Sequence, residues 1–365
     1  MGDRVRRFGI LTSGGDCPGL NAAIRGVAKA ASGRFGMQVV GIANGYRGLI
    51  EGEARTLAPD DFSGILTLGG TILGSSREKP FKRCEEGNCS DAQAGQDKPE
   101  RIMENVERLG LDALVVLGGN GTNTTAHLLS KLGLPVIGLP KTIDNDIWGT
   151  ELSFGFHSAV DIAAESIDRL HSTALSHNRA MVIELMGHKA GWLALYAGIA
   201  GGGDVILLPE LPYRIDEVAA SLRRRREEGK RFSIVVVAEG ALSAEEAELP
   251  KKERKRLREL MSYPSIGYRV AAEIEEATGM EARVTVLGYL QRGGTPSPYD
   301  RVLATAFGTA AAELLYRGEF GRMVAVRDGR IATVPLVEVA GRTKTVPADH
   351  PLIGTARLVG TCFGD

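Results

Sequence analysis

Short, uninterrupted apolar runs of strand length recur along the chain at residues 8–11, 113–117, 136–139, 181–185, 234–238 and 284–287. Amphipathic stretches lie between several of them. In 101–109, Ile102, Val106 and Leu109 fall at i, i+4 and i+7; in 158–170, Val160, Ala163, Ala164 and Ile167 share one helical face; 20–31 is also compatible with a helix. Continuous apolar strands alternating with helices predict parallel sheets covered on both faces, the α/β class. Two segments break this rhythm. Residues 85–100 are polar without periodicity and predict a surface loop, and 245–260 carries Lys251, Lys252, Arg254, Lys255 and Arg256 among glutamates. Like Arg223 to Arg226, that basic stretch has helical context and interleaved acids, which favour a solvated helix face over a nucleic-acid patch. No internal repeat of 20 to 50 residues is visible.

The residues just past each strand are more informative than the strand itself. Residues 8–11 lead into Thr12, Ser13, Gly14 and Gly15; 113–117 into Gly118, Gly119, Asn120, Gly121 and Thr122; 136–139 into Pro140, Lys141, Thr142, Ile143, Asp144, Asn145 and Asp146. Likewise 181–185 runs into Met186, Gly187, His188 and Lys189, and 234–238 into Glu239 and Gly240. In open parallel sheets the carboxyl ends of the strands are where ligands bind.

Composition sharpens this. Glycine accounts for 47 of 365 residues, well above the roughly 7% of an average protein. No Gly-X-Y period or Gly/Ser tract runs through the chain, so collagen and flexible-linker readings fail. At least fourteen glycines, Gly14, Gly15, Gly19, Gly74, Gly118, Gly119, Gly121, Gly187, Gly191, Gly201, Gly240, Gly288, Gly293 and Gly294, fall in or near strand-end turns, which suggests close approach of main chain to anionic ligands. A net charge of −1 removes any global case for nucleic acid or an anionic membrane. No apolar run reaches the roughly 18 residues of a membrane span and no signal-peptide core opens the chain, so a cytoplasmic protein is expected. Cys17, Cys84, Cys89 and Cys362 are too few for a disulfide scaffold and lack the spacing of a zinc site. Length allows about two domains.

The turns have the residue types of phosphate chemistry. Gly14, Gly15 and Gly19 lie between a strand and a helix, where free N–H groups face an anion; a plain tight turn reads the same way in isolation. Gly118 to Thr122 repeats the device, with an N-capped helix as the compatible alternative. Asp144 and Asp146, two residues apart beside Lys141, suit phosphoryl transfer to an alcohol: one carboxylate takes the hydroxyl proton, another group holds metal, and the cation offsets phosphate charge. Arg77, Arg179, Arg283 and Arg292 supply guanidinium groups that match phosphate oxygens bidentately.

In order and spacing these segments resemble the 6-phosphofructokinase family over almost the whole chain: TSGGDCPGLNAAIRG, GGNGT, PKTIDNDI, MGHKAGW, Pro209-Glu210, Glu239 in AEG, RVTVLGYLQRGG and PYDR. The resemblance implies two Rossmann-like parallel-sheet domains with the active site in the cleft between them, residues 1–154 and 290–340 binding the phosphoryl donor and 155–289 with 341–365 binding the sugar phosphate. It implies phosphorylation of fructose 6-phosphate at its 1-hydroxyl, most consistent with Mg²⁺-ATP, in a homotetramer with shared active sites. Carried over by position, Asp144 is the proton acceptor, with Asp146, Lys141 and Thr142 beside it. Gly15, Arg77, Gly119, Asn120, Gly121 and Thr122 form the donor site. Thr142, Ile143, Asp144, Arg179, Met186, Gly187, His188, Glu239, Arg283, Tyr289 and Arg292 form the sugar site, with Arg179 and Arg283 reaching a neighbouring subunit. Asn120 and Asp146 are the metal candidates.

The departures matter as much. Asn120 replaces an acidic metal ligand, His188 an arginine, and Tyr289 a histidine common in bacterial ATP-dependent members. Gly121 accompanies ATP in this family and Lys141 accompanies pyrophosphate; because an acid at 121 would repel nucleotide phosphates and is absent, ATP is favoured and pyrophosphate stays open. Arg25 matches a basic effector residue, whereas His171 and Glu228 do not, so weak effector control is expected. A lipid or nucleotide kinase with a similar glycine turn lacks PKTIDND and YLQRGG. A catalytically weak ligand-binding subunit is the remaining alternative, against which stands the joint presence of Asp144, Asp146, Arg179 and Arg283.

Overall fold

The central strands form where the chain is continuously apolar, as two-sided burial demands. The computed structural model describes residues 5–81 and 98–365. Its strands, in chain order, are β1 (Arg7–Thr12), β2 (Gln38–Ile42), β3 (Ala54–Thr56), β4 (Ala113–Gly118), β5 (Val136–Pro140), β6 (Ala180–Leu185), β7 (Val205–Leu207), β8 (Ser233–Ala238), β9 (Ala282–Val286), β10 (Arg322–Arg327) and β11 (Arg330–Pro335). Every residue of β4, β6 and β8 is buried, the pattern of central parallel strands. The chain divides into two compact units: Met1–Thr142 with Ile147–Ser158 and Arg292–Thr343, and Ile143–Asp146 with Ala159–Gln291 and Lys344–Asp365. The expected boundaries near 154, 289 and 340 thus fall at 158, 291 and 343, and residues 143–146 belong to the second unit.

In the first unit the strand order is β11-β10-β5-β4-β1-β2-β3. Its interior pairs are parallel, with Phe8 opposite Ala113 and Leu114 opposite Val136, whereas β3 and β11 are antiparallel edges. The core on this sheet includes Leu11, Val40, Leu114, Val116, Ile147 and Met323. The helix Leu20–Phe35 packs on the helix Pro298–Arg317 through glycines: a Cβ on Gly26 would come within 2.9 Å of the Thr305 carbonyl oxygen, and one on Gly308 within 2.7 Å of the Ala23 carbonyl. Only bare backbone permits that approach.

The second unit has the all-parallel order β7-β8-β6-β9. The outer edge of β7 is covered by the chain's end, Ile206 N–H donating to the Cys362 carbonyl and Cys362 N–H to the Asp204 carbonyl, both at 2.9 Å. The sixth expected strand, 284–287, is displaced: β9 begins at Ala282 and ends before Leu287, because an edge strand tolerates Arg283 and needs no continuous apolar run. Expected helix 158–170 lies inside Phe156–His177, and 101–109 corresponds to Lys98–Arg108. Of the stretch 85–100, residues 98–100 open that last helix and the rest, with Cys84 and Cys89, lies outside the described residues. The basic stretch forms the helix Lys251–Glu259, which buries none of its residues. Among the described residues no helix is long and apolar enough to cross a membrane.

Candidate active site

In the first unit, the turn after β1 is the hub. Ser13 N–H donates to the Leu117 carbonyl at 3.0 Å, tying the turn to the end of β4, and Gly14 N–H donates to the Ser76 carbonyl at 2.8 Å. The Ser75 hydroxyl donates to the Gly14 carbonyl at 2.6 Å, and that of Thr12 to the Gly74 carbonyl at 2.7 Å. These bonds frame a cavity of about 500 Å³ lined by Gly14, Gly15, Asp16, Thr71, Ser75, Ser76 and Arg77. Gly15 and Arg77 are therefore brought together. Thr122 Oγ1 donates to the Ser13 carbonyl at 3.3 Å, Lys141 Nζ donates to the Gly15 carbonyl, and Arg292 Nη1 donates to the Asp16 carbonyl at 3.0 Å. Three separate motifs thus bond to one glycine turn. They place a buried ammonium and a guanidinium against this turn, groups whose charge can attract anionic oxygen.

The glycines of these turns sort into different causes, and this corrects the expectation that they share one. Gly118 makes room for Thr122, whose side chain would stand 2.2 Å from a Cβ there, and Gly191 makes room for Glu210 at 2.7 Å. Gly201 yields to Ile167, Gly240 to the His188 carbonyl, and Gly14, Gly19 and Gly74 have left-handed backbone. Gly121 differs. Its φ is ordinary, nothing lies within 4 Å of an added Cβ, and it opens the helix Asn120–Lys131 at a position where glycine is a poor helix former. No contact among the described residues accounts for it.

Lys141 to Asp146 follows β5. Lys141 N–H donates to the Gly118 carbonyl at 3.1 Å, and the Ser153 hydroxyl holds the Thr142 carbonyl at 2.8 Å. The division between the two units falls after Thr142, so Lys141 and Thr142 go with the glycine turn, while Ile143, Asp144 and Asp146 go with the second unit. Ile143 is fully buried and anchors the segment. Asn145 takes φ 51°, left-handed backbone that asparagine tolerates better than most residues.

At the carboxyl ends of β6 and β8, Glu239 organises the second unit's own turn. Its Oε1 accepts from His188 N–H at 2.7 Å and Gly187 N–H at 3.2 Å. Gly187 has φ 145° and His188 φ 52°, so the Met186–Gly187–His188 turn is held in an unusual conformation by one carboxylate. His188 is exposed, and Tyr289, at 74% exposure, projects from the short helix Gly288–Arg292.

Arg179 and Arg283 are not brought to this edge. Arg179 immediately precedes β6 and Arg283 is the second residue of β9, so both lie at the amino ends of the strands, a strand length of about 16–20 Å from Glu239. There they converge on one carboxylate: Arg179 Nε lies 2.6 Å from Glu281 Oε2, and Arg283 pairs with Glu281 Oε1. Chiefly through the Arg179 hydrogen bond, Glu281 is held below the usual carboxylate range. Their position just before the apolar runs 181–185 and 284–287 already indicates the amino ends of those strands.

Other residues escaped the sequence reading. Thr71, Ser75 and Ser76 line the cavity outside the quoted motifs, and Asp16 lines it from within TSGGDCPGLNAAIRG without having been given a role. Glu210, noted only as part of Pro209-Glu210, accepts from Gly191 N–H at 2.9 Å and Val346 N–H at 2.8 Å, and burial pushes its carboxyl up. Cys17 is buried and its thiol is pushed up to about 12 by burial, which keeps it protonated and unreactive.

A glycine turn gripped by lysine and arginine at the carboxyl edge of a parallel sheet, with a second helix N-terminus tied to it through Thr122, has the residue types of an enzyme that handles phosphoryl groups. Residues 7–315 match the family model described as Phosphofructokinase, and the chain belongs to the phosphofructokinase family. It is 70% identical over 361 residues to an ATP-dependent 6-phosphofructokinase of Spirochaeta thermophila, covering 99% of this chain and 98% of that one. Among solved structures it is similar to phosphofructokinase from Saccharomyces cerevisiae (33% identity, TM-score 0.78), covering 92% of this chain and only 45% of the yeast chain. It also matches a pyrophosphate-dependent phosphofructokinase from Marinobacter aquaeolei (26% identity, TM-score 0.77), covering 94% and 86% of the two chains. The fold is thus shared with a relative named for pyrophosphate.

Proposed function

We propose that this chain transfers the γ-phosphoryl group of ATP to the 1-hydroxyl of fructose 6-phosphate, giving fructose 1,6-bisphosphate and ADP as a step of glycolysis in the cytoplasm. The observation that carries the choice of ATP is Gly121, a helix-opening glycine with open space around it, in a chain 70% identical to a relative named for ATP. Asp144 accepts the hydroxyl proton as the sugar oxygen bonds to phosphorus and the bridging oxygen leaves with ADP. Lys141 and Arg77 offset charge on the donor, while Gly15 and Gly119 to Thr122 present backbone N–H groups to it. The larger unit takes the donor, and the second unit takes the sugar through Asp144, Met186, Gly187, His188, Glu239 and Tyr289. The amino-end position of Arg179 and Arg283 supports their service to a neighbouring copy in a homotetramer.

The described residues hold no group of three or more His, Cys, Asp or Glu side chains suited to a metal. Asp146 in the second unit and the Asn120 amide in the first are the oxygen donors that would serve Mg²⁺, an ion that takes one or two protein oxygens with substrate phosphates and water. A metal held by these residues would offset negative charge on the donor phosphates. Purified protein with fructose 6-phosphate and Mg²⁺, given ATP and pyrophosphate in parallel, tests the reading: turnover with ATP is expected, and pyrophosphate-only turnover reverses the donor. No turnover with either donor refutes the reading.

A further inference from the structure

One short strap near the end of the chain joins the two segments that the proposed reaction asks to act together. Lys344 N–H donates to the Asp146 carbonyl at 2.7 Å, so the strap holds the base-bearing segment by its backbone. The same residue's carbonyl accepts from Trp192 Nε1 at 3.1 Å, and its ammonium lies over the Trp192 ring, 5.3 Å from the centroid. Two residues on, Val346 N–H donates to Glu210 Oε1 at 2.8 Å, and both oxygens of Glu210 also accept from Gly191 N–H, at 2.9 and 3.0 Å. His350 closes the arrangement edge-on against Trp192, ring centroids 5.2 Å apart. Trp192 and Gly191 directly continue the Met186–Gly187–His188 turn, in which Ala190 N–H bonds back to the Gly187 carbonyl at 3.0 Å.

We infer that Lys344 to Val346 is a positioning strap, with Trp192 and Glu210 as its anchors, which fixes the Asp144–Asp146 segment relative to the His188 turn. All of these residues belong to the second unit. The physical argument is one of degrees of freedom. The backbone around Asn145 and that around His188 both sit in left-handed conformations that the chain does not favour unaided. The strap reaches the first directly, through Lys344 N–H to the Asp146 carbonyl one residue from Asn145, and the second through Glu210, which accepts from both Val346 N–H and Gly191 N–H, three residues from His188. Trp192 is only 7% exposed, so its indole N–H would be costly to leave unpaired, and the Lys344 carbonyl is what satisfies it. Neither Trp192 nor Glu210 touches the reacting groups in this assignment; both act by placing Asp144. The inference rests on the proposed reading for its catalytic meaning, but its structural half can be measured without turnover.

The experiment uses the full-length protein with Trp192→Phe, which keeps a ring and removes the indole donor, and with Glu210→Gln, which keeps the shape and removes the charge. Hydrogen–deuterium exchange over residues 143–147 is expected to rise in both, although neither substitution touches that segment. In steady-state assays kcat is expected to fall about 10-fold or more, as for misplaced reacting groups, with KM for ATP within about twofold of the parent. Unchanged exchange at 143–147 in whichever variant folds overturns the strap. Raised exchange with unchanged kcat overturns its positioning role. A parent enzyme that turns over neither donor would instead refute the functional reading, leaving the exchange result to judge the strap by itself.

Discussion

Arg292 occupies the space that a side chain at Gly15 would need: a Cβ there would stand 2.2 Å from Nη1 and 2.8 Å from Cζ of the arginine. Gly15 has no left-handed backbone, so the arginine is what demands glycine, and Arg292 in turn holds the Asp16 carbonyl at 3.0 Å. Gly15→Ala should leave the fold intact, because a flexible guanidinium can move aside, while displacing Arg292 from the turn. The expected result is a loss of roughly 10²-fold in kcat/KM, the scale of a misplaced catalytic group, with an unchanged melting curve. Parental kinetics in Gly15→Ala would mean that Arg292 is a packing residue only.

Gly121 makes the opposite case. Since nothing among the described residues lies near its missing side chain, Gly121→Ala should be neutral or stabilising by up to about 1 kcal/mol, the helix-propensity gain. If the nucleotide's phosphates approach there, the same substitution raises KM for ATP. Gly121→Asp should raise it further through like-charge repulsion. Thermal unfolding and ATP saturation curves on both variants check this; a stabilised Gly121→Ala with parental KM for ATP would remove Gly121 from the donor site.

How far the sequence reaches is clear from these two glycines. Both fall in turns that the strand pattern places at carboxyl ends, and the motif spacing marks both, yet their physical reasons differ and only coordinates separate them. The central strands were legible because burial on both faces writes a continuous apolar run, as in β4 and β8. The strands β2, β7 and β10 were not, being short or ending in charged or polar residues such as Arg322 and Arg327. Asp144, Lys141 and Glu239 were legible as chemistry at strand ends. Glu281 and Lys344 were not, and Glu210 was marked only as part of a motif without its role, because a carboxylate that accepts backbone N–H groups, or a backbone group that bridges distant segments, leaves no local pattern.

Glu281 gives a prediction of its own. It already occupies the guanidinium groups of Arg179 and Arg283, and it stays ionised through the neutral range because its carboxyl is held low by Arg179. A sugar phosphate recruited by those arginines must share them with this internal anion. Glu281→Gln should therefore lower KM for fructose 6-phosphate, by roughly two- to tenfold given how exposed the pair is, and leave KM for ATP unchanged. A raised KM for the sugar would show that Glu281 holds the arginines in place and does not compete for them.

Asp300 sets a pH dependence of stability whose sign is opposite to that of a paired surface carboxylate. It is fully buried, its Oδ2 accepting from Ser158 N–H at 2.7 Å and from the Ser158 hydroxyl at 2.6 Å, and burial pushes its carboxyl above the ordinary value of 3.8 despite those bonds. Because the folded value is the higher one, the native state binds this proton more tightly than the unfolded chain. The group's contribution is fully present below the unfolded value and is lost as pH rises through the raised folded value. Asp300→Asn, which cannot ionise, should be spared that loss. Urea unfolding of parent and variant from pH 4 upward should show the variant gaining stability relative to the parent as the buried carboxyl ionises. A relative loss with rising pH would mean that the bonds to Ser158 outweigh burial and that Asp300 is ionised in the fold at no net cost.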